Sequence, residues 1–168
     1  MRIISQRLQF RKYNEEDINF LFSLLSDPEM VRYIGEGKTR DKEGTKKFLD
    51  WIYSTYKVGT GLGLMVLEEK ENNNPIGHAG LVPQTVDGAE ELEIGYWISR
   101  KYWGKGYATE AAKSLMDYGY SNLGKRKFIA LIQPDNEASK KVANKLEMKL
   151  EKKVILGGQS VHVHSISK

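Results

Sequence analysis

The sequence lacks cysteine and contains only four prolines among its 168 residues. Without cysteine the chain has no disulfide, no thiolate metal site and no cysteine nucleophile. It has no run of about 18 apolar residues that would predict a transmembrane helix. The first five residues lead into polar sequence without the apolar core of a signal peptide. We therefore expect a cytoplasmic protein with no membrane partner.

The chain also has only a small excess of positive charge. The chain has 26 basic and 22 acidic residues, which gives a formal net charge of +4. Such a mild excess is compatible with an anionic ligand, but dedicated nucleic-acid binders carry denser basic clusters. A small basic nucleic-acid binder would need its lysines on one patch, whereas here the two signs are intermingled. We expect no nucleic-acid partner.

Hydrophobic periodicity predicts a single α/β domain over residues 1–168. Alternating and continuous apolar runs predict strands at 8–12, 63–69, 76–86, 91–99, 127–132, 150–156 and 160–166. Helical spacing predicts one helix between Asn14 and Asp27-Pro28, and further helices at 42–56, 108–122 and 137–148. Short turns make the second to fourth strands an antiparallel meander, and the later strand–helix units can supply parallel pairing.

A glycine-containing loop follows the fourth strand and opens a helix rich in small residues. Gly104 and Gly106 lie in this loop. Free N–H groups at a helix N-terminus bind anions, and glycines let a phosphate approach the backbone closely. On spacing alone, a tight strand-to-helix turn without a ligand is an equal alternative. Dinucleotide-binding, Walker-type and serine nucleophile-elbow motifs are absent from the sequence.

Several motifs together resemble the GNAT superfamily of N-acetyltransferases, and in particular its ribosomal-protein-alanine N-terminal acetyltransferase branch. The motifs are Tyr102–Ala111, Glu93–Trp97, Asn136–Ser139, Arg7-Leu8 and Asn14–Asp17. Two positions depart from the pattern of the family. Trp103 stands where the broad pattern has Gln or Arg, and Glu147 stands in Lys145–Met148 where the usual sequence is K-L-G-F.

The resemblance implies a fold, a donor and a reaction. The fold would be a mixed central sheet of about seven strands flanked by helices, with acetyl-CoA in the cleft where the middle strands splay. The reaction would be direct attack of a primary amine on acetyl-CoA without a metal. The acceptor would be a protein N-terminal α-amine or, alternatively, an aminoglycoside, a polyamine or another small amine. An alternative of another class is a non-catalytic acyl-CoA-binding module. We expect a monomer or a homodimer.

The resemblance also assigns residues to the donor. The pantetheine arm would pair with the backbone of the fourth strand, and the pyrophosphate would bind the loop and the start of the helix. The assigned residues are Tyr96, Trp97, Ile98, Trp103, Gly104, Lys105, Gly106, Tyr107, Ala108 and Thr109, together with Asn136 as a hydrogen-bonding partner of the pantetheine.

Two residues are candidates for proton transfer. Glu93 is the candidate general base, and an α-amino group with a pKa near 7.7–8.0 needs only a modest base. Glu93 shares a strand face with Glu91, so an exposed, solvated pair is the alternative. Ser139 is the candidate acid for the leaving thiolate, although Ser139 and Asn136 equally suit the cap of the following helix.

The histidines are interpreted as structural or solvent-facing. His162 and His164 share a strand face, but no cysteine or spaced carboxylate completes a metal site, so we expect both side chains to be exposed. His78 is a lone histidine on the third strand, and we expect it to be structural or solvent-facing.

Overall fold

The computed structural model describes residues 2–168. Its strands are β1 (Leu8–Lys12), β2 (Gly63–Glu69), β3 (Pro75–Val86), β4 (Ala89–Ile98), β5 (Lys127–Ile132), β6 (Lys149–Leu156) and β7 (Gln159–Ser167). Its helices are α1 (Ile18–Leu25), α2 (Pro28–Val31), α3 (Lys42–Tyr56), α4 (Tyr107–Asn122) and α5 (Glu137–Lys145). All the predicted elements are present, and α2 is one that the sequence pattern did not indicate.

The seven strands form one mixed sheet in the order β1-β2-β3-β4-β5-β7-β6, flanked by helices, which confirms the predicted fold class. Every neighbouring pair is antiparallel except β4 and β5. These two strands share a single parallel pair, Glu93 with Ile129. Beyond that pair they diverge, so the centre of the sheet opens into a cleft.

The helices cover the sheet on two faces. Helices α4 and α5 pack on the face that carries Phe128, and Gly119 of α4 sits against this ring. A Cβ at Gly119 would lie 2.4 Å from Phe128 Cζ, so the close approach of the helix requires glycine there. Helices α1 and α3 pack on the opposite face through Leu21, Leu49 and their buried neighbours. The cleft therefore has walls from both helical layers.

Helix ends follow the capping chemistry of the sequence. Asn14 forms a capping box with Asp17 at the 3-10 turn that leads into α1, as its position predicted. Helix α5 ends at Lys145, three residues earlier than predicted. The reason is Glu147, which adopts a left-handed φ of 64° and turns the chain so that the N–H of Met148 bonds back to Ala143.

The expectation for the histidines of β7 is wrong for His164. This side chain is buried, with 9% of its surface exposed, because it faces the layer of α5, whereas His162 is half-buried. His78 is completely buried. Within residues 2–168 no group of three metal-ligating side chains converges, and no helix there is long and apolar enough to cross a membrane.

Candidate active site

A cavity of about 790 Å³ fills the cleft between the diverging strands. Strands β4 and β5 bound it at the sheet. Helix α5 and the start of α4 bound it on one face of the sheet, and α2 and α3 bound it on the other. The predicted site residues that line it are Glu93, Tyr96, Trp97, Ile98, Trp103, Gly104, Gly106, Tyr107, Ala108, Thr109, Asn136 and Ser139. Lys105 is the predicted site residue that does not line it.

The loop before α4 has the shape that an anion site needs. Gly104 and Gly106 have φ angles of 77° and 81°, in the left-handed region that favours glycine. Gly106 is the N-cap of α4, so the first N–H groups of the helix have no capping side chain. A Cβ at Gly104 would meet nothing within 4 Å. The pyrophosphate of a coenzyme A molecule fits such a loop, because free N–H groups and the helix dipole both favour it.

The loop is held in place from both sides. The indole Nε1 of Trp103 donates to the carbonyl of Ile98 at 2.6 Å and fastens the loop to β4. From the other side, Nη2 of Arg7 donates to the carbonyl of Lys105 at 3.0 Å. The side chain of Lys105 does not line the cavity, and its ammonium lies 5.5 Å from the ring centroid of Tyr102. This lysine therefore contributes its backbone to the loop geometry.

Glu93 is the half-buried carboxylate at the point where β4 and β5 part. Its Oε1 accepts a hydrogen bond from Nε2 of Gln84 at 2.9 Å. Burial raises the pKa of Glu93 above its ordinary value, and hydrogen bonds from Gln84 and the Leu131 backbone oppose this only in part. Glu91, two residues upstream, instead pairs with Lys127 at 2.8 Å. A carboxylate with a raised pKa and no cationic partner is suited to accept a proton.

Tyr96 and Ser139 form a second proton-bearing group in the cavity. They share a side-chain hydrogen bond, and burial raises the pKa of Tyr96 to about 12, so the phenol is protonated at neutral pH. Asn136 caps α5 by accepting from the N–H of Ser139 at 3.2 Å, which confirms the capping interpretation. Its Nδ2 donates to the Ser139 hydroxyl at 3.0 Å. The amide thereby leaves the hydroxyl proton of Ser139 available to another acceptor.

The two groups lie on opposite faces of β4. Side chains of a strand alternate, so Glu93, Gly95 and Trp97 face the layer of α3, whereas Tyr96 faces the layer of α4 and α5. The loop that contains Gly104 and Gly106 opens on the α4 side. A donor lying in the cleft would thus have the base on one side and the hydroxyl pair on the other.

Sequence reasoning missed Gln84 and the side chain of Tyr96. Gln84 reaches Glu93 because the antiparallel register places Gln84 opposite Glu91, which is two residues from Glu93 on the same face of β4. The signal for this contact was the two-residue Asp87-Gly88 turn, because the length of a hairpin turn fixes the register of its two strands. Tyr96 was assigned through its backbone, and the strand period already placed its side chain on the face opposite Glu93.

Comparisons with known proteins bear on the family of this chain. Residues 7–149 match the acetyltransferase (GNAT) domain family. Over 154 residues the chain is 36% identical to a Bacillus subtilis (strain 168) protein described as uncharacterized protein YkkB, covering 91% of this chain and 88% of that protein.

Solved structures show the same fold. A GNAT-family acetyltransferase from Bacillus anthracis superposes with a TM-score of 0.82 at 26% identity, covering 99% of this chain and 98% of that one. RimL, described as a ribosomal L7/L12 alpha-N-protein acetyltransferase and solved in complex with coenzyme A, gives a TM-score of 0.81 at 19% identity, with 99% and 98% covered. At that identity, the likeness to RimL concerns the fold.

Proposed function

This chain belongs to the GNAT acetyltransferase family, and from that premise we propose that it transfers the acetyl group of acetyl-CoA to the α-amine of a peptide or protein N-terminus. The observation that carries the proposal is that Glu93, with its raised pKa, lines the same cavity as the phosphate-binding loop. A base and an anion site in one cleft are what amine acetylation requires.

The chemistry follows from the placement of the groups. The amine nitrogen forms a bond to the thioester carbonyl carbon while Glu93, directly or through a water, takes the amine proton. The carbon–sulfur bond then breaks, and the sulfur receives a proton from the hydroxyl pair of Ser139 and Tyr96. An α-amine suits this arrangement because its pKa near 7.7–8.0 leaves a sizeable neutral fraction at neutral pH.

The charge of the cavity favours a peptide over a polycation. Among the described residues, the carboxylates that line the cavity are Glu93 and Glu29. Glu29 already lies 3.8 Å from Arg32. An aminoglycoside or a polyamine carries several positive charges and needs more acidic partners than this cavity offers.

The test is release of free thiol from acetyl-CoA with a panel of N-terminal peptides, polyamines and aminoglycosides. The protein has no cysteine, so it adds no thiol background. We expect release that depends on peptides with a free α-amine, and none with N-terminally blocked versions of the same peptides. Release with polyamines or aminoglycosides alone would overturn the peptide acceptor.

A non-catalytic acyl-CoA-binding module is the alternative that the same experiment separates. Such a module would bind acetyl-CoA in calorimetry and release no thiol with any acceptor. The raised pKa of Glu93 in the cavity favours the enzyme, because a binding module has no use for a proton acceptor beside the thioester.

A further inference from the structure

A second, smaller cavity adjoins the first on the α3 side, and its chemistry bears on the acceptor of the proposed function. It has a volume of about 320 Å³ and is lined by Arg40, Lys47, Phe48 and Trp51. Phe48 and Trp51 line the main cavity as well. The two rings therefore form a shared wall, with the cleft on one side and two cations on the other.

The two cations have no acidic partner. Among residues 2–168, neither Arg40 nor Lys47 forms an ion pair within 4.0 Å. The carboxylate next to Arg40 in sequence, Asp41, is occupied as the N-cap of α3 and accepts from the N–H of Gly44 at 2.8 Å. Arg11 and Arg100, in contrast, each form an ion pair with an aspartate. The guanidinium of Arg40 instead lies 5.2 Å from the ring centroid of Phe48, with its donors free for a ligand.

A continuous row of aromatic rings connects these cations to the base. The ring centroids of Trp97 and Phe48 are 5.6 Å apart, and those of Phe48 and Trp51 are 5.3 Å apart. Trp97 shares its face of β4 with Glu93, four residues and thus about 13 Å along the strand. Trp51 keeps 40% of its surface exposed, which is high for a ring in a helix that packs on the sheet. An extended acceptor can lie along this row.

We propose that Arg40 and Lys47, beside Phe48 and Trp51, form a subsite for an anionic group of the acceptor. In the acceptor, a stretch of extended chain separates this anionic group from the reacting amine. The stretch of about 13 Å from Glu93 to Trp97 corresponds to roughly four residues of extended chain, and Arg40 lies beyond Trp97, on the far side of Phe48. The preferred peptide thus carries Asp or Glu at its fifth position or later, with an apolar stretch before it. The carboxylate binds the guanidinium fork of Arg40, and Lys47 adds a point charge.

The experiment compares kcat/KM for three octapeptides of otherwise equal sequence: one neutral, one with Glu at position five and one with Glu at position two. We expect a preference of about fivefold for Glu at position five, the size of a partly exposed charge pair. The preference should shrink as salt rises from about 0.02 to 0.5 M. The small-molecule comparison is a linear amino acid whose amine and carboxylate lie as far apart as the N-terminal amine and the Glu carboxylate at position five of the peptide. Preferred acetylation of this compound over the peptides would indicate a small-molecule acceptor.

Variants on one helix provide the matched control. Arg40→Gln/Lys47→Gln removes two positive charges from the cavity wall and should abolish the preference, so that this variant acetylates the acidic and neutral peptides with equal kcat/KM. Lys42→Gln/Lys46→Gln removes two equally exposed charges on α3 that line neither cavity, and it should retain the preference. If both double variants lose the preference for the acidic peptide equally, the preference reflects the overall positive charge of this surface, and the subsite is overturned.

This inference rests on the proposed function, and a binding measurement separates their failures. Peptide binding to the coenzyme A complex is followed by tryptophan fluorescence, which needs no turnover. Selective binding of the acidic peptide without acetylation would overturn the proposed function and retain the subsite. Acetylation of the neutral and acidic peptides at equal kcat/KM would overturn the subsite and retain the proposed function. If the protein neither binds the acidic peptide selectively nor acetylates any of the peptides, the subsite and the proposed function are both overturned.

Discussion

Arg7 and Glu110 lie 103 positions apart in the chain and are joined by two hydrogen bonds. Nε of Arg7 donates to Oε1 of Glu110 at 2.7 Å, and the backbone N–H of Arg7 donates to Oε2 at 2.8 Å. The hydroxyl of Ser5 donates to Oε2 as well, and the guanidinium stacks 4.2 Å from the ring centroid of Tyr107. The segment before β1 thereby braces the loop that opens α4. Arg7 and Glu110 are positioning residues for that loop.

Substitution of Glu110 by alanine should weaken donor binding. Without its carboxylate the guanidinium of Arg7 is no longer fixed against the loop, so we expect the Kd for acetyl-CoA in calorimetry to rise by about five- to tenfold. The kcat at saturating donor should change little, because Glu110 touches neither reacting group. The exposed pair of Glu36 and Lys38 supplies the control, and Glu36→Ala should leave the Kd unchanged. A Glu110→Ala protein with lowered Tm and unaltered Kd would contradict the positioning role.

Substitution of Glu93 by glutamine should remove the base and retain the shape of the site. We expect kcat to fall by about a hundredfold, the usual contribution of a general base, while the Kd for acetyl-CoA stays the same. Glu91→Gln changes the same residue type on the same strand face, outside the cavity, and should cost little activity. Equal turnover by the wild type and Glu93→Gln would remove Glu93 from the mechanism.

The pH dependence of the reaction should report the burial of Glu93. Its folded pKa is raised, so the carboxylate takes up a proton at a higher pH than an ordinary glutamate does. The value of kcat/KM should therefore fall as the pH decreases through that raised pKa, above the usual range near 4.3. Protonation of the amine, near its pKa of 7.7–8.0, lowers kcat/KM in both proteins, whereas the further fall at lower pH that Glu93 causes should disappear in Glu93→Gln. Persistence of this further fall in that variant would assign it to another group.

Ser139 and Tyr96 should act as one unit. Their side chains share a hydrogen bond, so removing either hydroxyl disturbs the same proton source. We expect Ser139→Ala and Tyr96→Phe each to lower kcat by about tenfold, and the double variant to be little worse than either one. Steady-state kinetics on this double-mutant cycle provides the measurement. Multiplicative effects in the double variant would show two independent roles.

His78 should make the fold sensitive to acid. The ring is enclosed by Tyr13, Phe48 and Trp97, its Nδ1 lies 2.7 Å from the Tyr13 hydroxyl, and burial lowers the pKa of His78 to about 3. Between about pH 6.5 and pH 3 the unfolded chain binds a proton that the folded protein excludes. The free energy of unfolding should therefore fall as pH decreases, by up to about 1.4 kcal/mol per pH unit from this group.

Urea unfolding of His78→Gln at several pH values tests this coupling. The variant should be less stable at pH 7, because it disturbs a buried contact, but its stability should fall less steeply between pH 6 and pH 4. His162→Gln is the control on a half-buried histidine of β7 and should follow the wild-type slope. Parallel curves for the wild type and His78→Gln would refute the coupling to His78.

The elements of the fold were predictable because local signals agree with tertiary packing almost everywhere. The helix α3 begins and ends at the residues that its periodicity predicts, and the β1 and β2 bounds also coincide. Helix α2, which the pattern did not indicate, is one exception, and the end of helix α5 is another. Its apolar spacing continues through Met148, but Glu147 takes a left-handed conformation that helix propensity does not anticipate in a glutamate. That position corresponds to glycine in the K-L-G-F sequence of the family.

The candidate site was predictable where a motif occupies consecutive positions. The loop residues from Trp103 to Thr109 lie together because they are neighbours in sequence. Contacts between distant segments were not predictable, such as that of Arg7 with the loop carbonyl of Lys105. The approach of the N-terminal segment to the loop depends on the packing of the whole sheet, which no local pattern encodes.

The single pairing between β4 and β5 gives the molecule a strand edge in its interior, rather than at its rim. Under the proposed function, the backbone of β4 would bind the donor and its side chains would contact the acceptor. Backbone groups on that edge can bind an extended amide-containing arm without regard to the side chains, whereas Trp97 would face the acceptor. Exchange of Trp97 would then accommodate new amines while the same donor is retained.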